Sequence, residues 1–480
     1  MLILSNIVQI VYPLFLIFIF FAKKKKETIA IFGNLCYNGC IRDPNHFQEV
    51  SMKKNSILWG NDKPGRAVTL GLQHVFAMFG STVLVPALTG LDPAVTLLCM
   101  GIGTLIFHLI TGFKVPAFMG SSFSFITAIG AVSAYCTSKG IDNFASYVGW
   151  GIMASGLLYL ILAGFVKLFG AKRITNFFPP IVTGCMIIII GMMLAPTAMN
   201  NIVTVTNVPV WKNWVVAIVT VLTIIGVMFF TKGFIKLVPI LIGIVVGYIV
   251  SLCLGMVDTT AVTSAPIFQV PEINLPAVKD WSAITYAITM IAPISIVTFV
   301  EHVGDITANG AVTGNNYIED PGLHRTLTGC GLASIFSGGL GGPAATTYSE
   351  NTGVLAATRN YNPATLRIAA VFAIVLSLFG TVSGILSSIP APVMGGVSII
   401  LFGMIASVGL RMLVENQVDF TKSYNLVIAA VMLVIGLGLP NGINFGSVNV
   451  SGTAIAALLG VILAKVLPRN DAEEKETAKQ

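Results

Sequence analysis

From Ala67 to residue 467 the chain is a succession of apolar runs separated by short polar links. A helix needs about 20 mostly apolar residues to cross a bilayer, so runs of this length and number commit the chain to a membrane-spanning helical fold. Composition agrees: only 10% of the residues are charged and 55% are hydrophobic, whereas a soluble domain carries roughly a quarter charged residues. The formal charge of +7 comes from basic residues placed singly or in pairs between apolar runs. That is the pattern of loops held on the cytoplasmic face, and it leaves no nucleic-acid footprint.

The runs fall at about 67–88, 92–111, 115–135, 147–168, 178–195, 213–231 and 235–256, then at about 281–304, 325–340, 343–358, 364–386, 392–411, 422–439 and 450–467. The expected fold is therefore all-α and polytopic, with fourteen transmembrane segments as seven plus seven. The polar stretch 257–280 is the longest connection between them. With Ala67 started from the cytoplasm, thirteen Lys and Arg between Lys114 and Arg469 fall on one side, and only Lys139, Lys212 and Lys279 on the other. The positive-inside rule then places both ends of this region in the cytoplasm.

Seven segments per half invert the second half relative to the first. Val115-Pro-Ala-Phe-Met-Gly-Ser-Ser-Phe-Ser-Phe125 can be laid on Gly342-Pro-Ala-Ala-Thr-Thr-Tyr-Ser-Glu-Asn-Thr352, which sets Phe123 over Glu350. Pro180, Gly184 and Gly191 likewise fall over Pro392, Gly396 and Gly403 at a constant separation of 212 residues. Inverted repeats with interrupted segments in matching places point to a binding site near the bilayer midplane. The third and tenth segments are the interrupted ones, each opening with proline and running through small residues, which admit non-helical backbone. The reading predicts an extended stretch followed by a short helix in each. The two stretches would meet as a small antiparallel pair, with helix N-termini turned to the midplane.

Ionisable groups inside such runs are costly and by default mark a polar pathway. Glu301, His302 and Asp305 come at what looks like the end of the 281–304 segment, and Glu350 and Asn351 follow the tenth segment's break. Glu301 and Glu350 are the principal candidates. A carboxylate acceptor beside backbone N–H donors matches a planar ligand that carries an N–H next to a C=O. Either could load and release a proton, or could simply pair with His302, His74 or an amide to lock helices. Asp305 lies one turn beyond Glu301, about 6 Å along the axis, where it would share a proton with Glu301 or cap the helix end. Asn351 and Asn309 are amide partners to the same network or plain turn residues. Gln73 and His74 interrupt the first segment; His74 reads as a proton gate or as an ordinary helix–helix contact. Phe123, Phe125 and Tyr348 sit beside the breaks, where a ring could stack on a flat ligand or pack in the core. His108 falls toward the cytoplasmic end of the second segment.

The Gly-rich run Gly338-Gly-Leu-Gly-Gly342 lacks the Gly-Lys-Ser/Thr of a nucleotide-binding loop, which favours ion-coupled secondary transport over primary pumping. Seven scattered cysteines form no metal-ligand pattern, so neither cofactor nor metal is expected, and no enzymatic chemistry. Residues 2–22 form another apolar stretch followed by Lys23–Lys26. They read either as an extra helix or as a start-site artefact ahead of Met52.

Taken in order, Gln73-His-Val-Phe-Ala-Met-Phe-Gly80, Pro116-Ala…Gly120-Ser-Ser-Phe123, Glu301-His-Val-Gly304 and Glu350-Asn-Thr-Gly353…Thr358-Arg359 resemble the nucleobase–ascorbate transporter family, above all its bacterial uracil permease branch. The likeness runs over residues 64–468. It implies a core domain (67–170 and 281–386) and a gate domain (171–280 and 387–468), flanked by an N-terminal extension 1–66 and a tail 469–480. Substrate would bind between them where the broken segments meet, with proton symport of uracil by alternating access in the cell membrane and dimerisation through the gate domain. By motif, Glu301 and Glu350 match the carboxylates that contact the base, Phe123 the aromatic beside it, and Tyr348 a backbone contact. Glu301, Asp305, His74 and Glu350 would carry the proton coupling. Asp305 departs from the branch, which has His there, while xanthine and urate carriers have Asp. Glu350 keeps the uracil-like residue where many purine carriers have Gln. A xanthine or guanine symporter is therefore the nearest rival, and a fourteen-span anion exchanger the next.

Overall fold

The computed structural model describes residues 64–468, apart from 172, 174–177, 206–207, 259–261, 263–264, 440–441 and 446–447. The readings made for residues 1–63 and for the tail after 468 lie outside the described residues. The first half contains α1 (Pro64–Thr89), α2 (Pro93–Ile110), β1 (Met119–Ser121), α3 (Ile126–Ser138), α4 (Phe144–Phe169), α5 (Pro180–Met193), α6 (Ala195–Val203), α7 (Val210–Phe230) and α8 (Pro239–Cys253). The second contains α9 (Trp281–Ile291), α10 (Ile294–Thr313), α11 (Leu323–Gly339), β2 (Ala345–Thr347), α12 (Ser349–Thr358), α13 (Pro363–Ser377), α14 (Gly380–Ser387), α15 (Ala391–Glu415), α16 (Ser423–Gly438), β3 (Ile443–Phe445), β4 (Val448–Val450) and α17 (Gly452–Val466).

The molecule is mostly helical. Among the described residues seven helical stretches are long and apolar enough to cross a membrane, and the bent pair α13–α14 makes an eighth. Four shorter apolar helices accompany them. Starts follow proline and cap chemistry. Pro93 opens α2 behind Asp92, whose side chain accepts from the Ala94 and Val95 amides, and Asp280 and Asn362 cap α9 and α13 in the same way.

The helices pack as two groups. In one, α11 lies against α4 and α2, α13 against α2 and α1, and α9 against α4 and α3; in the other, α15 lies against α5, α6 and α7, and α16 against α5 and α17. Lipid tails are as apolar as leucine, so such helices gain by close backbone approach rather than by escape from water. At the α4–α11 crossing a Cβ on Gly156 would come within 2.5 Å of the Gly331 carbonyl oxygen, and one on Gly331 within 2.8 Å of that of Gly156. The α5–α15 crossing is built the same way on Gly184 and Gly409. Between the groups the contact is apolar: Leu84 and Val85 of α1 join Leu194, Ile224, Ile240 and Phe402 in one buried cluster.

One expectation is corrected. Glu301, His302 and Asp305 do not sit at a helix end, because α10 runs on to Thr313 and closes at Gly314 with φ 76°. Polar residues along α10 are met by neighbouring elements. Thr298 accepts from the Tyr159 hydroxyl at 2.7 Å, the His302 ring meets Thr326 at 2.9 Å, and Asn309 donates to the Pro116 carbonyl at 2.8 Å. Asp305 is therefore no cap. The break falls earlier, at Ala292-Pro293 between α9 and α10, where proline lacks the N–H that an unbroken helix needs.

Candidate functional site

The two proline-led stretches are extended and lie side by side. β1 and β2 pair antiparallel, Met119 opposite Thr347, Gly120 opposite Thr346 and Ser121 opposite Ala345. Each strand leads into a short helix, β1 through the turn Phe123–Phe125 into α3 and β2 through Tyr348 into α12. Antiparallel pairing sends those helices in opposite directions, so both turn their N-terminal amides back toward the strand pair, a cradle for electronegative atoms. Every residue of the two strands is buried, which makes this irregular backbone tolerable at membrane depth.

The strand pair fits because of Gly120. A side chain there would run into the ring of Tyr348, and this ring, 5% exposed, fills the place of the absent Cβ. The Tyr348 hydroxyl donates to the Ser121 carbonyl at 2.8 Å, while the Ser121 hydroxyl donates to the Thr82 carbonyl at 3.0 Å. Phe123 stands half-buried with its ring nearly parallel to that of Tyr348, 6.3 Å between centroids. Of the two rings, Tyr348 is spent on packing and Phe123 is the one left partly open. Phe125 is wholly buried in a cluster with α4 and α9, so it is a core residue and not a lining one.

Glu350 lies in the first turn of α12, where the helix dipole favours a carboxylate. Its Oε1 accepts from the Ser81 hydroxyl of α1 at 2.9 Å. Glu301, from α10, accepts from the Ser124 hydroxyl at 3.3 Å. Asp305 accepts from the Thr347 hydroxyl at 2.9 Å, on the strand itself. All three carboxylates are half-buried. A carboxylate has about four acceptor positions, so one hydroxyl on each leaves capacity for a ligand N–H or a shared proton.

The amides sit one layer further back. Asn351 is fully buried, its Nδ2 3.1 Å from His74 Nδ1 and 3.2 Å from the His74 carbonyl. That donation requires Nδ1 to be bare, with the ring proton on Nε2. His74 is thus brought to Asn351 and not to a carboxylate. Asn309 holds the Pro116 carbonyl, tying α10 to the backbone that enters β1. His108, buried at the end of α2, performs the same service for Ala117, 2.9 Å from its carbonyl. The side-chain oxygens of Gln73 and Asn351 are buried and have no partner among the described residues. No cluster of His, Cys, Asp or Glu that could hold a metal ion occurs among the described residues.

Sequence reasoning missed Ser81, Ser124 and Thr347, the hydroxyls that orient the three carboxylates. Ser81 carried a usable signal, since it lies seven residues after His74 on the same face of α1. Thr347 sits on a strand and Ser124 in a single 3-10 turn, too short for any periodicity to mark a face. His302 supports one of these hydroxyls in turn. Its Nε2 meets Thr326 at 2.9 Å and its Nδ1 lies 3.4 Å from both Cys330 and Thr347, so it buttresses the hydroxyl that serves Asp305.

Residues 65–445 match the model of a permease family. Among curated relatives, the uracil permease of Bacillus caldolyticus is 44% identical over 414 residues, covering 85% of this chain and 94% of that one. The uracil permease of Bacillus subtilis (strain 168) is 42% identical over 421 residues, 86% and 95% of the two chains. That of Escherichia coli (strain K12) is 37% identical over 405 residues, 84% and 91%. Among solved structures, the transmembrane domain of a cyanobacterium bicarbonate transporter BicA superposes with TM-score 0.60 at 16% identity, covering 83% of this chain and 96% of that one. A murine anion transporter, Solute Carrier 26 family member A9 in its inward-facing state, gives TM-score 0.59 at 14% identity, over 85% and 68%. At those identities the likeness is one of fold.

Proposed function

The chain belongs to this permease family, the nucleobase–ascorbate transporters, and from that premise we propose that it imports uracil across the cytoplasmic membrane by proton symport. The observation that carries the reading is the placement of Glu301 and Glu350 beside the β1–β2 pair, each oriented by a serine hydroxyl. The pyrimidine's imide and amide N–H groups donate to these carboxylates. Its carbonyl oxygens accept from backbone amides at the starts of α3 and α12, and Phe123 covers the ring face. The names of the relatives favour uracil among the bases this chemistry fits.

Asp305, Glu301 and Glu350 form the acidic cluster through which a proton is taken up with the base and released with it, and His74 supports it through Asn351. Fourteen segments in two inverted repeats of seven account for the pairing of the two broken segments. The two packing groups correspond to a core domain (67–170 and 281–386) and a gate domain (171–280 and 387–468), whose apolar contact lets the core move to expose the site to either side. Both ends of the membrane region lie in the cytoplasm, and two copies associate through their gate domains.

A purine-base symporter is the second reading, and Asp305, the residue expected of xanthine and urate carriers, favours it. Uptake of labelled uracil into cells lacking their own base carriers tests both. Concentrative uptake that a protonophore abolishes and excess uracil suppresses is the expected result. Stronger competition by xanthine than by uracil transfers the assignment to the purines, and uptake indifferent to the protonophore removes the proton.

A further inference from the structure

The connection between α8 and α9 carries an apolar surface that the transport site does not use. Ile267, Phe268, Val270, Leu275, Val278 and Trp281 each expose between 57% and 76% of their area. A segment in bulk water seldom gathers six large apolar side chains within fifteen residues, since contiguous apolar patches mark an interaction surface.

The inner side of the same stretch is polar and fastened. The Gln269 amide donates to the Leu378 carbonyl at 2.9 Å and the Asn274 amide to that of Leu340 at 3.2 Å. Asn143 donates to the Asn274 side chain at 2.8 Å, and the Trp150 indole to the Ala277 carbonyl at 2.8 Å. The connection is thus a strap across the ends of α13, α11 and α4, with its hydrogen-bonding groups turned to the protein and its apolar side chains turned away.

The end of α13 says what covers them. Val371, Val375 and Leu378, 45%, 43% and 37% exposed, form one stripe along this apolar helix and lead up to the strap. There the chain bends by 83° into α14. Phe268 packs on Phe379 at the bend, ring centroids 4.9 Å apart, and the Pro266 carbonyl approaches Gly380 so closely that a Cβ there would come within 2.5 Å. α14 turns off α13 at this point, so the strap packed on its first residues lies at the depth where the exposed stripe of α13 ends. Aromatic and aliphatic groups at that depth meet the boundary between head groups and acyl chains.

We propose that residues 265–281 form a lipid-binding strap, immersed at the head-group boundary of the leaflet on the side where α8 ends and α9 begins. The strap anchors the group of helices that carries Glu301 and Glu350 to the surface of that leaflet.

Photocrosslinking tests it. In full-length protein reconstituted in nanodiscs of phosphatidylcholine and phosphatidylglycerol, p-benzoylphenylalanine replaces Phe268, Leu275 or, as control, the exposed polar-loop residue Asp142. Intact-mass spectra after irradiation should gain the mass of one phospholipid for the probes at 268 and 275, and not for the probe at 142. Leu275 stands outside the Phe268–Phe379 ring pair, so it keeps the test open should replacing Phe268 disturb the bend. Adduct yields at 268 and 275 no greater than at 142 overturn the proposal, and so do adducts to a second copy of the chain in place of lipid.

Discussion

Gly120→Ala is the most direct probe of the strand pair. The added methyl would occupy the space of the Tyr348 ring. That ring has no easy retreat, being buried, tied to the Ser121 carbonyl at 2.8 Å and stacked near Phe123. Overpacking a buried site costs about 1–3 kcal/mol, and loss of the tyrosine hydrogen bond adds about 1 kcal/mol. A cost of about 2–4 kcal/mol borne wholly by the site would weaken binding about 30- to 700-fold, at roughly 1.4 kcal/mol per decade. Calorimetric titration of uracil onto purified protein, with thermal unfolding in the same detergent, measures both shares. The double variant Gly120→Ala/Tyr348→Leu removes the collision, and should restore the unfolding temperature without restoring affinity. A Gly120→Ala protein with unchanged affinity and unchanged unfolding temperature refutes the account of the strand pair.

Thr347→Val removes the hydroxyl on Asp305 while keeping the β-branched shape that the strand needs. It should alter the pH profile of uptake with little change in unfolding temperature, and an identical profile would take Thr347 out of the coupling network. Gly331→Leu at the α4–α11 crossing cannot be absorbed by side-chain movement, because the obstacle is the backbone of Gly156; the variant should fail to yield folded protein by size-exclusion chromatography. Outside the spanning helices, Asp280 caps α9, and hydrogen bonds from the Ser282 side chain and the Ala283 amide hold its carboxyl below the ordinary aspartate range. A depressed value means stability that is present above the ordinary range and lost as pH falls through the folded value. Asp280→Ala should therefore lower the unfolding temperature at neutral pH, with the difference from the parent closing in strong acid.

The elements that could be read in advance are those where one residue type has one physical meaning. Proline followed by small residues at 116–122 and 343–347 admits non-helical backbone, and the chain pairs as strands at 119–121 and 345–347. Carboxylates in apolar runs meant polar partners inside the fold, and Glu301, Glu350 and Asp305 accept from the hydroxyls of Ser124, Ser81 and Thr347. What could not be read depends on partners distant in the chain. Asp305 and Asn309 look like the polar exit of a span until Thr347 and the Pro116 carbonyl are brought against them. Tyr348 looks like a ligand-facing ring until it is seen to fill the gap that Gly120 leaves. Sequence names the groups that need satisfying, and only the fold says which neighbour satisfies them.

The proposed preference for uracil over a purine turns on the chemistry of one oxygen pair. Ser81 donates to Oε1 of Glu350, so the carboxylate's remaining capacity is all acceptor, suited to an imide N–H. Glu350→Gln keeps the shape and the Ser81 contact, since that hydroxyl can donate to the amide oxygen. This fixes the amide's NH2 toward the ligand, donor against donor. A lost hydrogen bond to a charged group is worth about 1.5–3 kcal/mol, or about 10- to 150-fold in affinity. Uracil binding should fall by that factor, whereas a purine offering a ring nitrogen acceptor to the same NH2 should lose less or gain. Competition titrations with uracil and xanthine on the parent and on Glu350→Gln read the two shifts independently. A variant that binds uracil within about twofold of the parent, far inside the cost of a lost charged hydrogen bond, removes Glu350 from base recognition. A variant that loses both bases equally shows Glu350 acting on the fold of the site and not on the choice of ligand.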